Sequence, residues 1–317
     1  MSLRFAPAQT ASEPPPWISC AFVNNMPDSA FDATERQFCD LLDHGSGSKI
    51  VEVRRFALPE VPRGIDVAQR IRDEYRPIDE LYQHRPDVLI VTGSNPVEVD
   101  IRDEPYWDSL TGLLMWARDT VPSTLLSCLS AHAALQVFDG IERVRLSAKC
   151  TGVFAQTVAT EHDLTRGLAQ DILLPHSRWN SAPLDALEQA GYDVLVHSND
   201  TGWGVATRME GPRRLVLVQG HPEYDPWSLL REYRRDAGRY VRRERDDVPC
   251  LPLNCTADDE WESLLHLHEQ ISRGQRDPEL VDDFPFDDVA SRAPWSWRDP
   301  ALRFYANWLT SVGAGKG

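Results

Sequence analysis

Cys128 closes the apolar run Ser123-Thr-Leu-Leu-Ser127 and is followed at once by Leu129-Ser-Ala-His-Ala-Ala-Leu135, small and apolar residues suited to a helix. A cysteine between a strand and a helix sits on a sharp turn that presents its sulfur outward, with the first amides of the helix facing whatever it attacks. A thiol is a useful nucleophile only as a thiolate, which calls for a neighbouring imidazole and a positive local field. Further along, the apolar run Leu215-Val-Leu-Val-Gln-Gly220 leads into His221-Pro222-Glu223. If these continue the strand, His221 and Glu223 project to one side of it and the carboxylate can orient the ring. The pattern predicts a hydrolase or transferase built on Cys128, His221 and Glu223, with the amide of Leu129 as the candidate oxyanion donor.

Periodicity indicates the elements that must bring these residues together. Ile18 to Val23 and Ile50 to Phe56 read as strands, and Asp28 or Ser29 is expected to cap a helix running to Leu42 between them. Asp87-Val-Leu-Ile-Val-Thr-Gly93 is the clearest strand, since a continuous apolar run stopped by glycine suits a parallel strand buried on both faces. A helix around Tyr106 to Ala117 precedes the strand into Cys128, and Ala131 to Phe138 fits the helix behind it. Later strands are expected at Gly152 to Val158, Tyr192 to His197, Gly204 to Arg208 and Arg214 to Gln219, then a charged helix from Pro226 to about Arg243. Alternating strands and helices predict an α/β fold, a doubly wound, mostly parallel sheet flanked by helices.

The 317 residues, 42% of them hydrophobic, can bury a full core, and residues 17–250 are expected to form the catalytic domain. The lead 1–16 ends in Pro14-Pro15-Pro16 and is expected to be disordered, with no signal peptide. An insertion or lid is expected at 251–295, holding one helix, Asp258 to Ser272, and the acidic segment Asp277 to Asp288. A C-terminal helix within 296–317 is expected to pack on the catalytic domain. No run reaches the roughly 18 apolar residues of a membrane span. A net charge of -16 argues against nucleic acid and anionic membranes as partners. Six cysteines without a C-x-x-C pair predict reduced thiols and a cytoplasmic protein. No metal site is expected, because His266 and His268 lie two apart on a helix and point to different faces. Thr92-Gly93-Ser94-Asn95-Pro96 has too few glycines for a phosphate loop.

In combination these motifs resemble the homoserine O-succinyltransferases of the class I glutamine-amidotransferase-like (flavodoxin-like) superfamily. The resemblance runs from about Ile18 to Asp247 and resumes at Ser296-Trp-Arg. It is carried by Asn25-Met26-Pro27, Val91-Thr92-Gly93, Tyr106-Trp107, Ser123-Thr124-Leu125 up to Cys128, Gly152-Val153, Pro175-His176-Ser177-Arg178, Gly220-His-Pro-Glu-Tyr-Asp225, Glu232, Arg235-Asp236 and Asn307-Trp308-Leu309. It implies a ping-pong acyl transfer in amino-acid (methionine) biosynthesis. Cys128 takes the acyl group from succinyl-CoA or acetyl-CoA, a co-substrate rather than a bound cofactor, and passes it to the hydroxyl of homoserine or a related amino acid. His221 serves as base and Glu223 orients it. Lys149, Ser177 and Arg235 match substrate-contacting positions, with Arg178 and Glu232 beside them. Arg235 can clamp the acceptor's carboxylate while Glu232, three residues earlier on one helix face, receives its ammonium group. The partners implied are small molecules, and a homodimer is compatible with the resemblance.

The chain also departs from the family's pattern. Asp28-Ser29 stands where lysines are usual, Leu129 replaces a tryptophan, and His132 replaces a glutamine and is expected to be packed or solvated rather than at the site. The position that separates succinyl from acetyl enzymes falls on Val97, or on Glu98 after a one-residue shift. The segment Thr256 to Ala293 is longer than its counterpart. A glutamine-hydrolysing amidotransferase shares the Cys-His-Glu arrangement, although its elbow usually carries glycines, and a non-catalytic metabolite-binding relative could retain the fold.

Overall fold

The computed structural model describes residues 3–5, 17–47, 49–159 and 161–313. Among the described residues ten strands form one sheet: β1 (Leu3–Phe5), β2 (Trp17–Val23), β3 (Ile50–Phe56), β4 (Val88–Val91), β5 (Ser123–Ser127), β6 (Val144–Val158), β7 (Asp171–Ser181), β8 (Asp193–Ser198), β9 (Gly202–Glu210) and β10 (Arg213–Val218). Their order is β1-β3-β2-β4-β5-β10-β9-β8-β6-β7. Pairing is parallel from β1 through β10 and antiparallel through the remaining strands. The strands that end at the candidate nucleophile and base, β5 and β10, are parallel neighbours in the middle of the sheet, with Ser127 opposite Val218.

Strand alternation divides the apolar residues between two cores. Ala21, Val23, Leu89, Val91, Leu126 and Leu217 face α4 (Trp107–Thr120), α5 (Leu129–Asp139) and α6 (Leu184–Gln189). Cys20, Phe22, Val88, Ile90, Leu125, Val216 and Val218 face α1 (Asp28–Gly45) and the last helix, α11 (Arg298–Gly313). Period-two strands buried on both faces need a layer of helices on each side, which is why β4 reads as continuously apolar. Trp308 of α11 is wholly buried and donates its indole N–H to Ser123 Oγ at 2.8 Å, so the end of the chain docks beneath the strand that carries Cys128.

Several expectations need correction. Leu3–Phe5, inside the expected disordered lead, pairs in parallel with β3, whose open edge offers unpaired backbone groups. The remainder of that lead lies outside the described residues. The helix α1 has Pro27 at its N-cap with no side-chain cap. Asp28 instead accepts from the Gly64 amide at 2.7 Å. β6 starts eight residues before the expected Gly152, and its partner β7, which carries Pro-His-Ser-Arg, was not anticipated. Pro175 is tolerated there because β7 lies at the sheet edge, where a missing N–H costs no ladder bond. The segment 251–295 holds three helices rather than one: α8 (Asp258–Ser272), α9 (Glu279–Asp282) and α10 (Phe286–Ser291). Leu264, Leu267, Val281, Phe286 and Val289 pack on Leu230, Tyr233 and Ala237 of α7 (Ser228–Val241) in a third core. The segment is thus seated on α7 by apolar burial.

Candidate active site

The elbow expected at Cys128 is present. The residue has φ 50° and ψ -106° as N-cap of α5, a conformation that costs a non-glycine residue about 1–3 kcal/mol unless its surroundings impose it. They do so through the Cys128 amide, which donates to Val218 O of β10 at 2.7 Å, and through the Cys128 carbonyl, which accepts from Ala131 and His132. The same bond joins the elbow to the strand leading to His221. Leu129 opens the helix, so by position its amide is among those without an acceptor inside it. A Cβ on Gly93 would lie 3.4 Å from that nitrogen and 3.5 Å from Cys128 Cβ. The missing side chain keeps the space before the amide open, a role that a lone glycine at a strand end does not advertise in sequence.

His221 and Glu223 meet, although not by continuing a strand. β10 ends at Val218 and the pair lies in a turn closed by Tyr224 N–H donating to His221 O at 3.1 Å, with Pro222 in the second position. His221 Nδ1 and Glu223 Oε1 stand 2.7 Å apart, both buried. With Nδ1 turned to Glu223, Nε2 is the ring nitrogen left for the Cys128 sulfur, which lies close enough to act on the imidazole. Burial by itself would make the imidazole a weaker base, but the Glu223 carboxylate and the Cys128 sulfur outweigh it and hold its pKa well above the ordinary value. A cationic imidazole beside a sulfur favours the nucleophilic thiolate. Tyr224 stacks on His221, ring centres 4.3 Å apart at 18°, and its carbonyl accepts from the indoles of Trp295 (3.1 Å) and Trp297 (2.8 Å). Gly220 is required just before the turn, since a Cβ there would lie 2.6 Å from Leu174 Cγ.

A second polar cluster lies alongside. Glu232 Oε2 receives Lys149 Nζ at 3.1 Å and the Ser177 hydroxyl, while Oε1 receives the Tyr224 hydroxyl at 2.6 Å. Burial disfavours its charge, but Lys149 and then the two hydroxyls outweigh that and keep its carboxyl below the ordinary range. Three of the roughly four lone-pair sites of Glu232, the residue expected to receive an ammonium group, are thus occupied from within the chain, with one left on Oε1. Arg235 binds Asp236 at 2.9 Å and faces a groove shared with Arg231, Arg234, Arg239 and Arg242. Arg178, buried, gives its guanidinium to the carbonyls of Asn180 (2.8 Å) and Thr201.

Cys128, Leu129, Ser177, Arg178, Val97 and Glu98 share one cleft of about 580 Å³. Lys149, Glu232 and Arg235 do not line it. The loop bearing Val97 and Glu98 is held from beneath by buried Glu104, whose Oε1 accepts both amides at 2.5 and 2.7 Å, and Val97 itself is 83% exposed. His132 borders the cleft but is packed, with Nε2 2.9 Å from Gln219 Oε1; burial pushes its pKa down to about 4. The Glu104 clasp and the Tyr224 stack carry no separate sequence signal, although Tyr224 belongs to the Gly220-His-Pro-Glu-Tyr-Asp225 motif.

A family model described as homoserine O-succinyltransferase matches residues 9–314, a range that includes the 251–295 segment. The chain belongs to the homoserine O-succinyltransferase family. It is 41% identical over 295 residues to the homoserine O-succinyltransferase of Rhodopseudomonas palustris, covering 93% of this chain and 88% of that protein. It is 40% identical over 297 residues to the one from Methylorubrum extorquens, covering 93% and 87%. A glutamine amidotransferase structure from Thermotoga maritima superposes with a TM-score of 0.50 at 12% identity over 93% of this chain and 98% of that one. That likeness concerns the fold, the class I glutamine-amidotransferase-like architecture expected above. Family membership makes the chain an acyltransferase enzyme and sets aside the non-catalytic and glutamine-hydrolysing alternatives. No described helix is long and apolar enough to cross a membrane.

Proposed function

We propose that this acyltransferase moves a succinyl group from succinyl-CoA to the hydroxyl of homoserine through a thioester on Cys128. The observation that carries the proposal is the Cys128-His221-Glu223 constellation at the adjoining ends of β5 and β10, with Cys128 lining a cleft. His221 Nε2 takes the Cys128 proton, and the sulfur attacks the thioester carbonyl while the Leu129 amide receives the developing oxyanion. Collapse expels the CoA thiolate, which takes the proton from His221. Homoserine then gives its hydroxyl proton to His221 and attacks the acyl-enzyme, and Cys128 leaves and recovers the proton. Glu223 keeps the ring oriented and stabilises its cationic form throughout.

Glu232 serves as the anchor for Lys149, Ser177 and Tyr224; the acceptor's carboxylate goes to Arg235 on the family resemblance alone, since Arg235 faces a neighbouring groove rather than the Cys128 cleft. The six free thiols support a reducing, cytoplasmic setting. The test is intact-mass measurement of the protein after incubation with succinyl-CoA and then with homoserine. The expected result is the gain of one succinyl group, its discharge by homoserine, and no gain in Cys128→Ala. An unmodified wild type, or an adduct on the alanine variant, sinks the proposal.

A further inference from the structure

The cleft beside Cys128 contains a cation for which the steps above have no use. Arg143, just before β6, is half-buried in its wall, and its Nη2 donates to Val99 O at 3.1 Å, in the loop that carries Val97 and Glu98. Among the described residues Arg143 forms no ion pair within 4.0 Å, in a chain where most arginines are paired with carboxylates. The nearby carboxylates are engaged elsewhere. Asp100 receives Arg102 at 2.9 Å, and Glu104 Oε1 is taken by the Val97 and Glu98 amides. Burial lowers the proton affinity of Arg143, and Tyr106, Asp100, Glu104 and Cys128 all lie close enough to raise it. Arg178, the other guanidinium near the sulfur, has its donors committed to backbone carbonyls. A half-desolvated guanidinium with its remaining donors unassigned is a site for a carboxylate, which it can grip in two bonds.

We infer that Arg143 binds the distal carboxylate of a dicarboxylic acyl group carried on Cys128 and so selects a succinyl over an uncharged donor. The assignment rests on the thioester route proposed above. The acyl end is favoured because Arg143 lines the cleft with Cys128, lies close enough to feel its sulfur and is bonded to the Val97–Val99 loop, whereas the exposed Arg145 has its guanidinium 4.7 Å over the Trp179 ring. A four-carbon diacyl group carries its carboxylate only a few bonds beyond the sulfur, so it must find its partner within the cleft that Arg143 lines.

The test compares succinyl-CoA with butyryl-CoA, a donor of equal chain length without the charge, in rapid-quench mass measurements of Cys128 acylation. Because both donors are read in one preparation, any loss of folded protein cancels from the ratio of rates. In Arg143→Gln the succinyl-to-butyryl ratio is expected to fall about 10- to 100-fold, the loss of a charge-assisted contact, and Arg143→Lys should recover part of it. An unchanged ratio overturns the assignment, whether neither rate moves or both fall together. The second pattern would mean that Arg143 holds the CoA moiety or merely braces the loop. A wild type that acquires neither acyl group refutes the thioester route itself.

Discussion

Replacing Glu223 with glutamine keeps an oxygen within reach of the His221 Nδ1–H, whose nitrogen is now 2.7 Å from Oε1, and removes only the charge. The two side chains are 8% and 4% exposed, so solvent screens little of the change. A hydrogen bond to a charged group contributes about 1.5–3 kcal/mol and a neutral one about 0.5–1.5, a difference of roughly 1–2 kcal/mol. At 1.36 kcal/mol per unit, the imidazole should lose about one pKa unit. The sign follows from the opposing effects at His221. Burial pulls its pKa down, Glu223 and Cys128 pull it up, and removing the carboxylate leaves burial less opposed. The thiolate-imidazolium pair should therefore be less populated at neutral pH, by up to about tenfold. Iodoacetamide alkylation of Cys128, followed by mass across pH, should slow by that factor near neutrality and converge on the wild-type rate at high pH. Turnover should fall at least as far, toward roughly 10⁴-fold if the amide turns its NH₂ to the ring and enforces the wrong tautomer. Superimposable alkylation profiles for the two proteins would refute the assignment of Glu223 as the source of His221's basicity.

Gly93→Ala should fold, because its new Cβ meets Leu129 N at 3.4 Å, yet covering that amide should lower kcat by about 10²–10³; unaltered kcat with unaltered Tm would remove Leu129 from the oxyanion site. His132, held neutral in the fold with a pKa of about 4, accepts a proton in the unfolded chain from about pH 6.5 downward, so its burial costs stability as pH falls through that window, by about 2–3 kcal/mol at pH 4.5. His221 acts in the opposite sense, its raised pKa contributing stability that is fully present below the unfolded value and is lost as pH rises through the folded one. Urea unfolding of wild type and His132→Gln at pH 7.5 and 4.5 isolates the His132 effect, and a stability difference that does not change between the two pH values would contradict it. Trp308→Ala should destabilise by about 3–5 kcal/mol, since the indole is wholly buried and its N–H is paired with Ser123; a midpoint in urea close to wild type would show that α11 is dispensable to the core.

Local chemistry made much of this protein legible from its residues alone. The apolar run of β4 implied a strand covered on both faces, and the strand-cysteine-helix sequence around Cys128 implied the elbow. His221-Pro222-Glu223 implied a base with its orienting carboxylate, because two residues separated by one proline stay close whether the chain continues as a strand or turns. The family was legible for the same reason, since its signatures are short and contiguous. Interactions between distant segments were not. Polar residues and Pro175 concealed β7, which exists because β6 pairs with it. Asp28 looked like a helix cap until Gly64, thirty-six residues away, took its carboxylate. Glu232 looked like an open acceptor, yet Lys149, Ser177 and Tyr224 reach it from three parts of the chain and occupy most of its lone pairs. Arg143 carries no sequence signal at all. Its meaning depends on which carboxylates near it are already occupied, and long-range packing, rather than local propensity, decides which polar groups are left with free valence in the wall of a cleft.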